Sequence, residues 1–363
     1  LSGSPPEILE ARQDGHRYEV RVGPVLPGAA AGAAAGRDRV ALVSCARVLR
    51  TPLGRQTAAA LRRGGNLAVV HALPDGEKGK TLAQTERAAM RLLRAGLTRR
   101  SLVVALGGGA VTDAAGFLAA TFMRGLDWVA VPTTLLAMVD AALGGKTAVN
   151  LPAAKNAVGA FHPPAAVLSD PAALSTLPAR ELRSGFGEVL KYGALRPALL
   201  PRMAEIARAG AADAALVAGC ARVKLEVVER DPEERAERKL LNLGHTFGHG
   251  VEAAGRFSRY AHGEAIAVGM AFAFRLARRL GRVGDATVAV VESALAGAGL
   301  PVRVPPGLAR RAAALMAHDK KRAASGLLWV LPRDGGGGWA VDWDVVADPR
   351  AVEETLREIG RTG

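Results

Sequence analysis

The chain has 363 residues, 49% hydrophobic and 23% charged, which is enough for two domains with sizeable cores. Its formal charge of +14 bears on solubility and on steering of anions; with basic residues scattered, no nucleic-acid signature and 4% aromatics to stack bases, an anionic small substrate is expected and a nucleic acid is not. No run of about 18 apolar residues suggests a membrane helix, and two cysteines, Cys45 and Cys220, exclude a disulfide framework or a cysteine zinc cluster and suit a reducing cytoplasm.

In chain order, Leu1 to Pro6 lack a basic patch followed by an apolar stretch, so no secretory signal is expected. Residues 17–23 alternate like a strand, and Val40 to Val43 reads as another. Between them, Pro27 to Gly36 is an Ala/Gly-rich loop or helix start. Helical spacing covers Thr81 to Leu97, after the turn Pro74-Asp75-Gly76. Ser101 to Leu106 is a short apolar run ending in Gly107-Gly108-Gly109, with a helix beginning near Thr112. Trp128 to Val131 is a further strand, closed by Pro132 and the helix start Thr133-Thr134. Strands alternating with helices predict an α/β domain with a mostly parallel sheet over residues 1–172.

Beyond residue 172 helical periodicity dominates. It covers Arg180 to Leu195, Ala204 to Val228, Leu240 to Ala254, Gly263 to Leu280 and Asp285 to Ala296. Asp285 reads as an N-cap, and Gly297 lies just past the helix end. The next strand signal is Leu327 to Leu331, and the glycines of 335–338 read as a flexible loop. Residues 173–363 are therefore expected to form a second, largely helical domain.

Three constellations carry chemistry. The first is the strand, three glycines and helix at residues 102–112. Glycines let a backbone approach a pyrophosphate, and a helix N-terminus offers N–H groups and a favourable dipole. It lacks the dinucleotide fingerprint GxGxxG, and a tight ligand-free turn would look the same. Asp113 and the turn Asp75-Gly76-Glu77 supply acceptors for ribose or amide groups.

The second is His245, His249, His262 and Glu264, with Glu188 upstream. Two histidines and a carboxylate leave coordination positions open, as a catalytic metal site requires. His245 and His249 share a helix face at i, i+4, whereas His245 with His262 requires two helices to converge. Spacing leaves both pairs open, and also leaves ordinary core histidines open.

The third is cationic: Arg124, Lys146, Lys155, Lys191, Lys224, Arg238, Lys320 and Lys321, with Asn156 and Asn242. Such groups converging would grip phosphate and carboxylate, though each alone is more often a solvated surface charge. The chain has 39 Arg against 9 Lys, a bias like that of a GC-rich genome. Lysines kept against that bias point to places needing a compact ammonium instead of a planar fork.

Together these motifs are specific. Ala105 to Gly109, Thr121 to Gly125, Val131 to Asp140, Gly144 to Thr147, Lys155-Asn156, Gly159 to Phe161 and Thr176 to Pro178 follow one another in a recognisable order and spacing. So do Gly187 to Lys191, Leu241 to His249, His262 to Glu264 and Asp319 to Lys321. Over residues 70–330 the chain resembles the 3-dehydroquinate synthase family, within the sugar phosphate cyclases. The resemblance implies a carbon–oxygen lyase using NAD and one divalent metal, zinc or cobalt. Its substrate would be 3-deoxy-D-arabino-heptulosonate 7-phosphate, a step of the shikimate pathway toward aromatic amino acids. Transient oxidation, β-elimination of phosphate, reduction, ring opening and intramolecular aldol closure would follow.

Carried over by position, the resemblance makes Glu188, His245 and His262 the metal ligands. His249 becomes a substrate contact and general acid/base, catalytic together with Lys146, Lys191, Lys224, Arg238 and Asn242. Substrate would be held by Arg124, Lys146, Asn156, Lys191, Lys224, Arg238, Asn242, His249 and Lys320. The dinucleotide would meet Asp75, Glu77, Lys80, Gly107, Gly108, Gly109, Asp113, Thr133, Thr134, Asp140, Lys146, Lys155 and Thr176. Arg124 would reach a neighbouring subunit's site, implying a homodimer; a cytoplasmic location and the absence of a nucleic-acid or membrane partner are expected from composition. Three places depart from the family pattern: Ser44 to Arg47 lacks its usual Asp and Asn, Gly187 replaces Ala, and Thr112 replaces Gly. The alternatives are another sugar phosphate cyclase, such as an aminodehydroquinate synthase, and a metal-dependent polyol or glycerol-phosphate dehydrogenase.

Overall fold

A computed structural model describes residues 5–152, 154–320, 327–336 and 338–360, except the side chains of 317–320. The chain forms two compact units: Leu1–Leu177 with Ala212–Pro232, and Pro178–Ala211 with Glu233–Gly363.

The first unit holds strands β1 (Glu7–Gln13), β2 (His16–Val22), β3 (Val40–Cys45), β4 (Leu67–Leu73), β5 (Leu102–Gly107), β6 (Asp127–Pro132), β7 (Lys146–Leu151), β8 (Ala154–Phe161) and β9 (Ala166–Ser169). Seven of them form one sheet in the order β1-β2-β9-β6-β5-β3-β4, parallel throughout except for the β1–β2 pair. The central strands β3 and β5 are buried along their whole length, and for that reason their residues read as continuous apolar runs. Helices Gly28–Ala34 and Pro52–Arg63 cover one core, where Ala30, Ala58 and Leu61 pack on Leu42, Val104, Leu106 and Val131. From β3 the chain runs outward to β4, then returns across the sheet to β5. The carboxyl ends of β3 and β5 thus flank a topological switch point, the usual seat of a ligand in such sheets. Ser44 Oγ donates to Leu106 O across that point at 2.6 Å.

In the second unit, helix His262–Arg279 forms the centre, its residues 263–277 all buried. Around it stand helices Ala179–Leu195, Leu200–Ala209, His245–Ala254, Asp285–Gly297, Pro306–Lys320 and Pro349–Ile359. A hairpin, β10 (Leu328–Gly335) and β11 (Gly338–Val346), completes it. Phe247, Phe272 and Trp329 stack in sequence, with ring centroids 4.4 and 5.2 Å apart. No helix among the described residues is long and apolar enough to cross a membrane.

The mostly parallel α/β sheet and the helix-rich second half are as expected, with local corrections. The periodicity over Ala204 to Val228 conceals two helices, ended and restarted around Gly210, whose φ of 67° a helix interior does not accommodate. Leu240 to Ala254 opens as a 3-10 turn, Glu237–Asn242, before the helix proper. Asp285 is not the N-cap: Gly284 holds that place, and Gly297 closes the helix from within. Pro27 to Gly36 is mainly a helix. The 335–338 stretch joins β10 to β11, with residue 337 outside the described ones. Strands β1, β4, β7, β8, β9 and β11 lie outside the expected ones.

Candidate active site

In the second unit three helices deliver a buried carboxylate and two imidazoles to one point. Helix Ala179–Leu195 supplies Glu188, fully buried, and helix His262–Arg279 supplies His262 from its first turn. The two helices approach through glycines: a Cβ on Gly263 would stand 1.7 Å from Ser184 O, and one on Gly187 2.4 Å from Gly263 O. Gly187, a departure from the family pattern, thus permits the close crossing beside Glu188. Helix His245–Ala254 begins after Gly244, whose φ is 81°, and presents His245, His249 and Glu252.

Ligand atoms of Glu188, His245 and His262 all lie within 4.8 Å of one another. His262 Nε2 is 3.1 Å from Glu188 Oε1, and His245 Nε2 is 3.6 Å from the same oxygen. His245 Nδ1 lies 3.3 Å from Leu243 O, so its proton belongs there and the Nε2 lone pair faces the carboxylate. Burial, reinforced by the Lys191 ammonium, pushes His245 down to about 3. A neutral imidazole lone pair and a carboxylate oxygen facing each other are two acceptors that need a cation between them. Burial opposes the charged form of His262 as well, but hydrogen bonds to Glu188 and Glu252 outweigh it and lift that ring to about 10. The Lys191 ammonium contacts Glu188 Oε2 one turn along the same helix. Once His262 gives up its proton, as ligation requires, the two imidazoles and the carboxylate form a donor set that fits a divalent metal with open positions.

His249 stays beside the cluster, its ring 5.2 Å from His245 and 6.4 Å from His262. Glu252 was not anticipated: it is buried, and its Oε2 is 3.4 Å from His262 Nδ1. A carboxylate behind a ligating histidine fixes the ring and its tautomer. Its only signal in the sequence is a Glu at i+7 from His245, on the helix face that also carries His249. Glu264 serves differently, accepting from the Ala261 N–H at 2.9 Å and from both Nε and Nη2 of Arg180. It secures the helix start that carries His262.

Arg238 is buried in the 3-10 turn, where Asn242 Nδ2 donates to Glu234 at 2.7 Å. Lys320 ends helix Pro306–Lys320 with its side chain outside the described ones, and Lys321 is likewise outside.

In the first unit, helix Gly109–Thr121 starts directly after β5 with Gly108 as N-cap and no side chain capping it. Thr133 N–H donates to Gly107 O at 2.9 Å, and a Cβ on Gly108 would stand 2.9 Å from Thr134 Cγ2. The glycine turn thus leaves the helix N-terminus without a side-chain cap at the switch point, which fits a pyrophosphate. Lys80, buried, pairs with Asp113 and donates to Asn156 Oδ1 at 2.5 Å. Lys224 donates to Asp140 at both its carbonyl (2.5 Å) and its carboxylate (2.8 Å), Asp140 lying on a π-helical turn Ala137–Ala141. Glu77 holds Asn150, and Asp75 lies 3.8 Å from Arg47 Nε. Lys146 follows the left-handed Gly144-Gly145 pair and is exposed, as is Lys155. Thr176 Oγ1 bonds Ala173 O within the turn Pro171–Thr176. Arg124 is exposed in a turn where it and Met123 are both left-handed.

The fold and the two clusters define a class: α/β nucleotide-type sheet proteins with a helical unit carrying a buried Glu/His/His metal centre. A probable glycerol dehydrogenase from Sinorhizobium meliloti shares this fold at 20% identity and TM-score 0.58, covering 93% of this chain and 95% of that one. Much nearer is a 2-deoxy-scyllo-inosose synthase complexed with carbaglucose-6-phosphate, NAD+ and Co2+: 25% identity, TM-score 0.81, covering 97% and 99% of the two chains. A 2-epi-5-epi-valiolone synthase from Streptomyces hygroscopicus subsp. jinggangensis, with NAD+ and Zn2+ bound, is 29% identical at TM-score 0.78 over 94% and 96%.

The family model for the 3-dehydroquinate synthase N-terminal region matches residues 70–184, and that for its C-terminal region matches 185–322. A 3-dehydroquinate synthase of Xylella fastidiosa is 46% identical over 299 residues, covering 79% of this chain and 80% of that protein. One from Nitrobacter hamburgensis is 42% identical over 349 residues, 91% of each. The chain belongs to the 3-dehydroquinate synthase family.

Proposed function

We propose that the protein is a 3-dehydroquinate synthase, releasing phosphate from 3-deoxy-D-arabino-heptulosonate 7-phosphate to form 3-dehydroquinate. The buried Glu188, His245 and His262 cluster, in a chain so closely related to these synthases, is the observation that carries this reading. Glu188, His245 and His262 would hold the divalent metal, with Glu252 fixing His262. The turns at Asp75–Lys80 and Gly107–Gly109, with Asp113, Thr133, Thr134, Asp140, Lys155 and Thr176, would hold NAD. When bound, NAD supplies a reversible hydride acceptor and the metal a Lewis acid at the hydroxyl being oxidised.

The chain's own residues supply the rest. Eliminating phosphate requires removal of a proton from the carbon next to a carbonyl and cations on the departing oxygens. Lys146, Lys191, Lys224, Arg238 and Lys320 offer that positive charge, with Asn156 and Asn242 completing the grip. His249, beside the cluster, takes and returns protons as the sugar ring opens and recloses. Arg124, exposed on its left-handed turn, reaches a second subunit, which makes the working form a homodimer, placed in the cytoplasm.

Product identity tests the assignment. With catalytic NAD and added metal, 3-dehydroquinate should accumulate from the heptulosonate phosphate and no carbocycle from glucose 6-phosphate or sedoheptulose 7-phosphate. Turnover only on the aminated analogue or on another sugar phosphate would move the protein to a sister cyclase.

A further inference from the structure

The hairpin β7–β8 slips register between Val149 and Leu151, where Asn150 alone faces the three residues 155–157 of β8, Asn156 among them. Bulges of this kind re-aim a side chain beside a site. The main chain of Asn150 turns out of the hairpin: its N–H donates to Lys80 O at 2.8 Å, and it bridges Thr81 in parallel. Its side-chain amide reaches two ways. Nδ2 donates to Glu77 Oε2 at 2.6 Å, while Oδ1 accepts the main-chain N–H of Asn156 at 3.0 Å. Asn156 has a φ of 54°, a left-handed conformation that a non-glycine residue keeps only where its surroundings hold it. Lys80 grips the same residue through its side chain, at Asn156 Oδ1, while pairing with Asp113. Asn150 therefore links Glu77 and Lys80, assigned above to the dinucleotide, with Asn156, assigned to the substrate.

We infer that Asn150 is a positioning residue, holding Asn156 in its left-handed conformation against the Glu77–Lys80 turn so that dinucleotide and substrate each favour the other's binding. The inference rests on the site assignment proposed above. Whatever affinity one ligand gains from the other must appear reciprocally.

The test is NAD+ affinity of the metal-loaded full chain, titrated with and without a phosphonate analogue of the heptulosonate phosphate that cannot eliminate. Wild type, Asn150→Ala and Asn150→Asp are compared, together with steady-state kinetics. The analogue should tighten NAD+ binding to wild type by about fivefold or more, a usual size for coupled sites. In Asn150→Ala that ratio should fall to unity, and KM for the sugar phosphate should rise about tenfold, as for a lost hydrogen bond to an ordered polar group, with kcat changing less. Asn150→Asp keeps the acceptor for Asn156 N–H but sets a carboxylate against Glu77, so NAD+ should weaken while KM for the sugar phosphate holds.

Loss of both affinities in Asn150→Ala with the coupling ratio unchanged would mean a merely structural role and overturn the inference. If Asn150→Ala does not fold, Asn150→Asp decides: substrate KM rising as much as the NAD+ dissociation constant overturns it. A wild-type chain that binds neither ligand would overturn the site assignment and the inference with it. One that binds both without coupling would overturn the inference alone.

Discussion

His245 and Glu252 show how single side chains make a metal centre out of an ordinary helix. His245 is kept neutral by burial and by Lys191, with its Nδ1 proton turned to Leu243 O and its lone pair turned to Glu188. His245→Ala removes one of three ligands. Metal content should fall from one ion per chain to near zero, and activity should drop by about a thousandfold or more, the scale of losing a catalytic unit. Metal analysis after desalting checks this, and full retention of the ion would refute the ligand assignment. Glu252→Gln keeps shape and removes charge behind His262 Nδ1. Metal affinity should weaken by about ten- to a hundredfold, the range for outer-shell carboxylates, with the fold intact. Chelator competition measures it, and unchanged affinity would make Glu252 a simple buried partner.

Residues of the types that carry chemistry are easier to pick out in the sequence than the residues that would position them. His245, His249, His262 and the lysines stand out by type in an Arg-rich chain. Which two histidines face Glu188 depends on where separate helices cross, which local spacing does not encode; the family resemblance, rather than periodicity, separated His249 from His262. Glu252 and Asn150 have no motif of their own. Their roles arise from contacts with residues up to 73 positions away, as with Glu77 and Asn150.

At the scale of elements, glycine contacts set the site's dimensions. Helices Ala179–Leu195 and His262–Arg279 cross so closely at Gly187 and Gly263 that a single added methyl must separate them. Gly263→Ala should therefore destabilise the protein by about 1–3 kcal/mol, the usual cost of overpacking. It should weaken metal binding further, because the separation moves His262 away from Glu188. Thermal denaturation with and without metal tests both; unchanged stability and metal affinity would show that the crossing is not under such constraint.

Strand legibility followed burial and length: β9 is enclosed but only four residues long, too short a run to read. β3, β5 and β6 are enclosed and read as apolar runs, whereas β7 is partly and β8 mostly exposed, and both are rich in alanine, asparagine and lysine. Such a pattern lacks both alternation and β-branched density, so the hairpin that carries Lys146 and Asn156 was invisible. β4 was missed because its exposure follows no strict period of two. The helices at Ala204 to Val228 merged in the sequence because the apolar spacing resumes in phase after Gly210.

At the scale of the whole molecule, the proposal that Arg124 acts in trans makes a distinctive demand. Arg124→Ala and His245→Ala chains should each be inactive, yet a mixed dimer has one site with an intact metal centre and an intact arginine. Co-expressed in equal amounts, they should recover about a quarter of wild-type activity, half the dimers being mixed with one good site in two. No recovery in dimers shown to be mixed would place Arg124 in its own subunit's site or in none.

The surplus of positive charge fits this whole-molecule picture, since a chain of net charge +14 draws in a substrate bearing phosphate and carboxylate. The fold alone does not select the reaction, because dehydrogenases share it at low identity. What separates a cyclising lyase from a net oxidoreductase is the fate of the hydride. The most direct measurement is therefore phosphate release from 3-deoxy-D-arabino-heptulosonate 7-phosphate, recorded alongside NADH absorbance, before and after chelation. Phosphate should be released over many turnovers on substoichiometric NAD, with no NADH accumulating, and should stop when the metal is removed. Steady NADH accumulation without phosphate release, or turnover indifferent to chelation, would contradict the account.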